Sequence, residues 1–446
     1  MQVKLTWPAR LRALATTIAL ALSAGAVTAQ VAGCPMPSTP TPGLVTTGMP
    51  VVEIWTNGYA SILDRENYLP GCVRITNGSL ASYTTGGGMQ AFSTGLYTGA
   101  LEIRGRGNST WDMPKRGYRL KLPRPGFQML DMPLERDWVL LANYADKTLM
   151  RAAVGFELSK RLGMAWTPKM RYVELYLNGA YLGNYLLGEH VKVAPNRVNV
   201  AAMAAIDVAP PNVTGGYLVE ADFLEYTDPT DIITYTSSGI LFNVKAPSPI
   251  NDSQKGYISG YLQEVENRLL ANNFDPINGY AQLIDANTFI DWWIVKELVK
   301  DVDSPFYSSV YLYKDRNGKL KMGPLWDFDL SSGNVDYSTA ADPTGWRIQV
   351  KSEWFLHLFK DKAFRTRVYD RWKAVKAAHL DTLPAFIDQT SLMINASQRE
   401  NFRRWDILDV YVWPNNVVLG SHQAEVDYLK NWLTTRTKWI DKNLKR

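Results

Sequence analysis

From residue 50 onward, apolar and polar positions first alternate with a period of two and then shift to helical spacing. Residues 50–58, "PVVEIWTNG", and 72–78, "CVRITNG", are β-rich runs that each end in Asn-Gly, a hairpin signal. Residues 98–104 and 117–122, "GYRLKL", continue the strand pattern, so the N-terminal third reads as mostly sheet. A helix is predicted over 146–162: Asp146 is placed to cap it, and Leu149, Ala153, Phe156 and Leu158 recur at helical spacing. Gly163 stands where a C-terminal cap is expected. Two apolar strands around Asn178-Gly179 predict a hairpin over 172–191, and "GGYLVEAD", 215–222, predicts a further strand.

Residues 223–252 are irregular and polar and read as an insertion. Residues 255–272 carry a helical pattern, and "ANTFIDWWIVKELV", 286–299, is apolar all round, as a buried helix is. A hairpin through "SSVYLYKDRNGKLKMGPLWDFD" turns at Asp315–Gly318. The remainder is amphipathic and helical over 353–376, 384–404 and 421–443. The expected fold class is α+β, with an N-terminal β-rich part over 49–145, a central core over 146–350 and a helical C-terminal part over 351–446.

Composition refines this picture at the N-terminus. Lys4, Arg10 and Arg12 precede an apolar run at 13–26, and "VTA" ending at Ala29 has the small-x-small form of a signal peptidase site. Residues 1–29 therefore read as an export signal, which predicts a secreted, periplasmic or cell-surface protein. Its removal takes three cations and no acids, lowering the formal charge from +5 to +2. A nearly balanced chain gives no reason to expect nucleic acid as a partner. The two cysteines leave two readings open: a Cys34–Cys72 disulfide, or a lipid-bearing Cys34 in the lipobox-like "VAGC". Residues 30–48 read as a Pro-rich stalk.

The 446 residues hold four histidines, His190, His357, His379 and His422, without metal-ligand spacing, which speaks against a zinc site. There is no G-x-S-x-G elbow, Walker loop or G-x-G-x-x-G. What remains is acidic and basic. Asp301 and Asp303 lie in "VKDVDSPFYSS", after the buried helix, and Asp327 and Asp329 lie in "GPLWDFDLSSGN". In an extended segment Asp327 and Asp329 share a face, with Phe328 packed behind them. Such a pair of carboxylates repels unless a cation lies between them, and oxygen-only ligands suit Mg²⁺ or Mn²⁺. A solvated basic face or a phosphate-holding strand pair both account for "RGRGNSTWDMPKRGYRLKL", 104–122, with Arg104, Arg106, Lys115, Arg116, Arg119 and Lys121 beside Gly105 and Gly107. Lys121, ending an alternating strand, is the individual cation expected to point inward.

These segments, together with "DWVLLANYADKTLMRAAVGFELSKRLGM" and "VELYLNGAYLGNYLLGEHV", resemble the CotH kinase family in five ordered blocks that span most of the mature chain. The resemblance implies an atypical protein kinase-like fold that uses ATP and a divalent metal to phosphorylate protein Ser/Thr hydroxyls. It implies Asp327 as metal ligand, assisted by Asp329, and Asp303 as the aspartate that accepts the hydroxyl proton. Lys121 is then the strand lysine on the ATP phosphates, with Arg104 and Lys115 as further phosphate cations. Glu189 and Glu220 end central strands and face the adenine or orient the lysine. Ser308 stands where ordinary kinases place an asparagine five residues after the catalytic aspartate, and "TTGGG", 84–88, is the stretch available as a nucleotide-covering loop. Asp146 and Arg151, in "NYADKTLMR", fit either catalysis or a helix cap. The competing expectation is a non-catalytic surface protein on the same scaffold, binding polysaccharide through Trp111, Trp138, Trp346 or Trp413.

Overall fold

A computed structural model describes residues 35–78, 82–84, 88–90, 96–228 and 230–446, so the expected export signal and Cys34 lie outside the described residues. Seven strands close into a barrel: β1 (Val51–Thr56), β2 (Leu69–Thr76), β5 (Thr98–Arg106), β6 (Gly117–Lys121), β7 (Asp137–Leu141), β8 (Met170–Leu177) and β9 (Ala180–Glu189). Their order around it is β1-β2-β5-β6-β7-β9-β8, and β8 closes on β1 in parallel. A separate short pair, β3 (Ser82–Thr84) and β4 (Gly88–Gln90), forms its own two-stranded sheet. Period two builds the barrel: in β5, Leu101 and Ile103 turn inward while Glu102, Arg104 and Arg106 turn outward. Val73, Leu120, Trp138, Val173 and Leu187 fill the same interior. Asn178 and Gly179 both take positive φ in the turn from β8 to β9, as an Asn-Gly hairpin requires.

The second body is a five-stranded sheet in the order β11-β12-β10-β13-β14, formed by β10 (Tyr217–Ala221), β11 (Ile233–Tyr235), β12 (Leu241–Ala246), β13 (Val310–Lys314) and β14 (Leu320–Met322). Stretch 223–252, expected to be an insertion, supplies two of these strands. Its polar composition reflects an edge, where only one face needs apolar cover. Helices α1 (Arg151–Arg161), α2 (Asp252–Leu270) and α3 (Ala286–Val299) surround the sheet. Six more complete the C-terminal part: α4 (Ile348–Lys351), α5 (Glu353–Leu358), α6 (Lys362–Val375), α7 (Leu383–Met393), α8 (Asn395–Arg404) and α9 (His422–Asn443). Apolar α3 is buried along nearly its whole length, beside an aromatic cluster of Trp292, Phe306, Trp354 and Phe355. One predicted helix, 353–376, is two, because Asp361 caps a new start by accepting from the Ala363 amide.

Three expectations are corrected. Helix α1 begins at Arg151, and Asp146 does not cap it in the ordinary way; its carboxylate instead folds the preceding turn. The described part of the expected stalk is docked on the barrel: Arg74 donates to the Pro37 and Thr39 carbonyls, and the Thr47 hydroxyl donates to Glu174 at 2.6 Å. Trp138, expected as a surface aromatic, is fully buried in the barrel. No helix among the described residues is long and apolar enough to cross a membrane.

Candidate active site

A cleft of about 600 Å³ separates the barrel from the sheet-and-helix body. The barrel contributes Arg106 to Thr110 as its roof, Gly117, and the segment Leu141–Asp146 that leads into α1. The other body contributes Glu220, Asp222, Lys245, Asp303, the segment 326–330 and Tyr337. The turn after β5 can lie close over the cleft because Gly107 has φ +112, where a Cβ would collide with the Thr110 hydroxyl. Residues 85–87 of "TTGGG", the stretch expected as a nucleotide-covering loop, lie outside the described residues.

The acids sit on two loops. The first follows α3, which ends with Lys300 in the left-handed conformation. There the Asp301 carboxylate accepts from the Asp303 amide and from the Ser304 amide and hydroxyl, so Asp301 shapes the turn while Asp303 faces the cleft. Burial, with the charges of Asp301 and Asp327 added, pushes Asp303 up to about 7. The second loop is 326–330. It is not a strand: β14 ends at Met322, and Asp327 has φ +58, a costly conformation for a non-glycine residue. Asp327 and Asp329 nevertheless converge, by this kink and not by strand alternation. Burial, then contact with Asp327 and the nearby Asp301 and Asp303 charges, raises the Asp329 carboxyl well above its ordinary range. Phe328 is buried behind them, edge-on to Phe156 and pressed against Gly155, where a Cβ would overlap its ring.

Buried cations hold these loops. The Lys296 ammonium donates to Asp301 at 3.0 Å and to the carbonyls of Trp326 and Asp327 at 2.6 and 2.5 Å. Arg151 pairs with Asp146 at 2.5 Å and donates to the Ser331 carbonyl, so "NYADKTLMR" braces the turn after 326–330. Asn334 donates to the carbonyls of Asp329 and Ala145.

The structure brings Asp303, Asp327, Asp329 and Glu220 into the one cleft, and it does not bring Lys121, Arg104 or Glu189 there. Tyr118 and Leu120 take the inward positions of β6, so Lys121 points outward, with its ammonium 5.1 Å from the Tyr68 ring centre. The Arg104 guanidinium lies over the same ring. The cleft end of this strand pair is Arg106 opposite Gly117, which leaves Lys121 four residues, or roughly 13 Å, further along. Glu189 is buried at the end of β9, accepting from the Lys169 amide beside Arg197. The Lys115 stem lines the cleft, but its ammonium turns away to the Asn184 carbonyl and the Asn401 side chain, and burial lowers its pKa to about 7. Glu220 is paired with Lys245 at 3.3 Å.

Several residues of the site were not singled out in the sequence. Arg106, one of six cations in its block, reaches over Trp326 with its guanidinium 5.7 Å from the ring centre. Asp222 accepts from the Ser308 hydroxyl at 2.7 Å, and burial followed by Glu220 pushes it to about 7. The Ser308 position thus holds a carboxylate in place through a hydroxyl. Just after β9 and outside the cleft lining, burial, then Arg119, Arg197, Arg106 and Lys245, hold His190 well below its ordinary range, marking a positive field drawn from both bodies. Tyr337 stacks on Trp413 at the cleft mouth, 5.9 Å apart with planes 6° from parallel. Burial, followed by the charges of Asp303 and Asp329, pushes its phenol up to about 12.

No group of three potential ligands stands at metal-binding spacing among the described residues. The donor set still fits a hard divalent cation. Mg²⁺ is commonly held by one or two carboxylates, with the remaining positions filled by water and substrate phosphates, and Asp327 and Asp329 supply such a pair of crowded oxygens.

A family profile described as CotH kinase protein matches residues 103–440. No curated protein matches the chain. The matched span holds most of the sequence and every acid of the cleft, and the chain belongs to that family.

Proposed function

We propose that this member of the CotH kinase protein family is an exported, metal-dependent phosphotransferase that moves the γ-phosphoryl group of ATP to Ser or Thr hydroxyls of a protein acceptor. The observation that carries the reading is the convergence of Asp303 with Asp327 and Asp329, from separate loops, in one cleft roofed by a cationic glycine turn. Asp327 and Asp329 would hold Mg²⁺ or Mn²⁺, which when bound supplies charge neutralisation at the phosphate oxygens. Arg106 meets the phosphates from above as a charged donor beside the backbone of Gly107 to Thr110.

Asp303 accepts the acceptor's hydroxyl proton as that oxygen bonds to the γ-phosphorus. The bond from phosphorus to the bridging oxygen breaks and ADP leaves. In the metal-free cleft burial, then the Asp301 and Asp327 charges, push the Asp303 carboxyl up to about 7; a cation held by Asp327 would offset part of that rise and favour the ionised form that accepts the proton. Positioning and charge account for most of the work in phosphoryl transfer, and the cleft is supplied with both.

A second reading, a binding protein on the same scaffold, is favoured by the stacked Tyr337–Trp413 pair, since exposed flat aromatics suit sugar rings of an envelope polysaccharide. The readings part on one experiment. Labelled ATP with Mg²⁺ or Mn²⁺ should transfer phosphate to a protein acceptor, and Asp303→Asn and Asp327→Ala should each lower the rate by roughly 100-fold or more. Transfer that persists undiminished in both variants removes the assignment. Polysaccharide binding without nucleotide binding selects the second reading.

A further inference from the structure

We infer that Lys296 is a positioning residue that sets the spacing between the two acid-bearing loops, an inference that rests on the phosphotransferase reading above. Lys296 lies in the last turn of the apolar helix α3 and is 2% exposed. An ammonium has three hydrogens to donate, and all three are committed here: to the Asp301 carboxylate, the Trp326 carbonyl and the Asp327 carbonyl. It also lies 4.5 Å from the centre of the Phe328 ring.

The contacts form one continuous path. The Asp327 carbonyl meets Lys296, Lys296 meets the Asp301 carboxylate, and that carboxylate holds the Asp303 amide at 2.9 Å. The residue proposed to hold the ion and the residue proposed to take the proton are thus tied through one buried ammonium.

A strap is needed at this point because the backbone has left its ladder. Strand β14 stops at Met322, so the carbonyls of 326 and 327 have no strand neighbour to satisfy them. With φ +58, Asp327 presents its carbonyl inward to Lys296 while its side chain stays exposed in the cleft. Such a backbone state persists only where surrounding contacts over-determine it. An apolar side chain of similar length would leave the Trp326 and Asp327 carbonyls without this donor and the buried Asp301 carboxylate without its counter-ion.

Lys300 supplies a control from the same molecule. Its ammonium is also buried and also donates to three oxygens, the carbonyls of Thr339, Asp342 and Thr344, but it holds a different loop. Lys296→Met and Lys300→Met should lower thermal stability comparably. Backbone hydrogen exchange then separates them: Lys296→Met should speed exchange over 326–331 by roughly tenfold or more and leave 338–345 near wild type, and Lys300→Met should do the reverse. Mn²⁺ affinity, read by the paramagnetic signal of the free ion, should fall about tenfold in Lys296→Met alone. In the transfer assay kcat should drop with the nucleotide KM little changed.

Unchanged exchange over 326–331 in Lys296→Met overturns the inference, as does an equal loss of Mn²⁺ affinity in the two variants. Where Lys296→Met fails to fold, Asp301→Asn cuts the same path at its other end and should show the same exchange pattern more weakly. Failure of the wild-type protein to bind Mn²⁺ overturns the metal reading instead, and the exchange contrast still decides whether the strap exists.

Discussion

The two walls of the cleft are built in opposite ways. The barrel wall is regular: strand alternation sorts its residues, and what it gives the site continues its strands, the turn past Arg106 after β5 and the segment that leaves β7 at Leu141. The facing wall carries its acids on segments with no ladder of their own, bent through left-handed residues at Lys300 and Asp327 and fixed by the side chains of Lys296, Arg151 and Asn334. Where regular structure holds a group, the group's place follows from its register. Where buried cations hold it, its place follows from contacts distant in sequence, such as the Arg151–Ser331 bond across 180 residues.

The sharpest test of that difference uses two cations of the same strand pair. Arg106 is at the cleft end and Lys121 at the far end, and register alone separates them. Arg106→Ala should weaken nucleotide binding by about 1.5–3 kcal/mol, roughly tenfold to a hundredfold, the value of a charged hydrogen bond. Lys121→Ala should leave affinity within about twofold, because its ammonium rests over Tyr68 on the outer face. Titration of ATP or ADP with Mg²⁺ into each variant decides it. Equal losses would mean that both ends of the strand pair reach the nucleotide, which the register of β5 on β6 forbids.

The same contrast explains what was legible in the sequence. The barrel strands, the Asn178-Gly179 hairpin and α3 follow local patterns, so their places could be read directly. The acids Asp303, Asp327 and Asp329 could be named because they cluster in sequence and resemble a known family. Their support could not. Lys296 sits in an apolar helix like any buried lysine, and nothing local says that two of its three partners are about thirty residues away. Lys121 is expected to point inward because it ends an alternating strand, yet that alternation gives the inward places to Tyr118 and Leu120, and alternation says nothing of which end of the strand meets the cleft. Asp222 went unnoticed because its significance depends on Ser308, which comes 86 residues later.

Packing behind the acids should matter next. Gly155 of α1 faces Phe328, and Gly155→Ala places a methyl group into that ring. The expected cost is about 1–3 kcal/mol, with loss of Mn²⁺ binding as Phe328 and its flanking aspartates are displaced. Gly260, on α2, has nothing near its missing Cβ, and Gly260→Ala should stabilise by about 0.5–1 kcal/mol through helix propensity alone. Thermal unfolding of the two variants compares a glycine kept for a contact with one that is free to change. A stabilised Gly155→Ala protein with intact Mn²⁺ affinity would show that Phe328 does not lock the loop.

The last test returns to the barrel wall, at Lys115. Its ammonium is buried against Asn184, Asn401 and the Tyr185 ring, and burial, partly offset by Glu174, lowers its pKa from the ordinary 10.5 to about 7. Between these values the unfolded chain binds a proton that the folded chain does not. Folding stability from this group therefore rises with pH from about 7 to about 10.5, at roughly 1.4 kcal/mol per pH unit at most, and its penalty is present in full below 7. Lys115→Met removes the titrating group, so the pH slope of its unfolding free energy over pH 7–9 should be smaller than that of the wild type by up to one proton. A slope unchanged by the substitution would show that Lys115 stays charged in the folded barrel, held by its two oxygen partners and Glu174. The ammonium would then be a permanent cation of the barrel wall, matching Lys296 on the other side, and the two walls would differ less in construction than their secondary structure indicates.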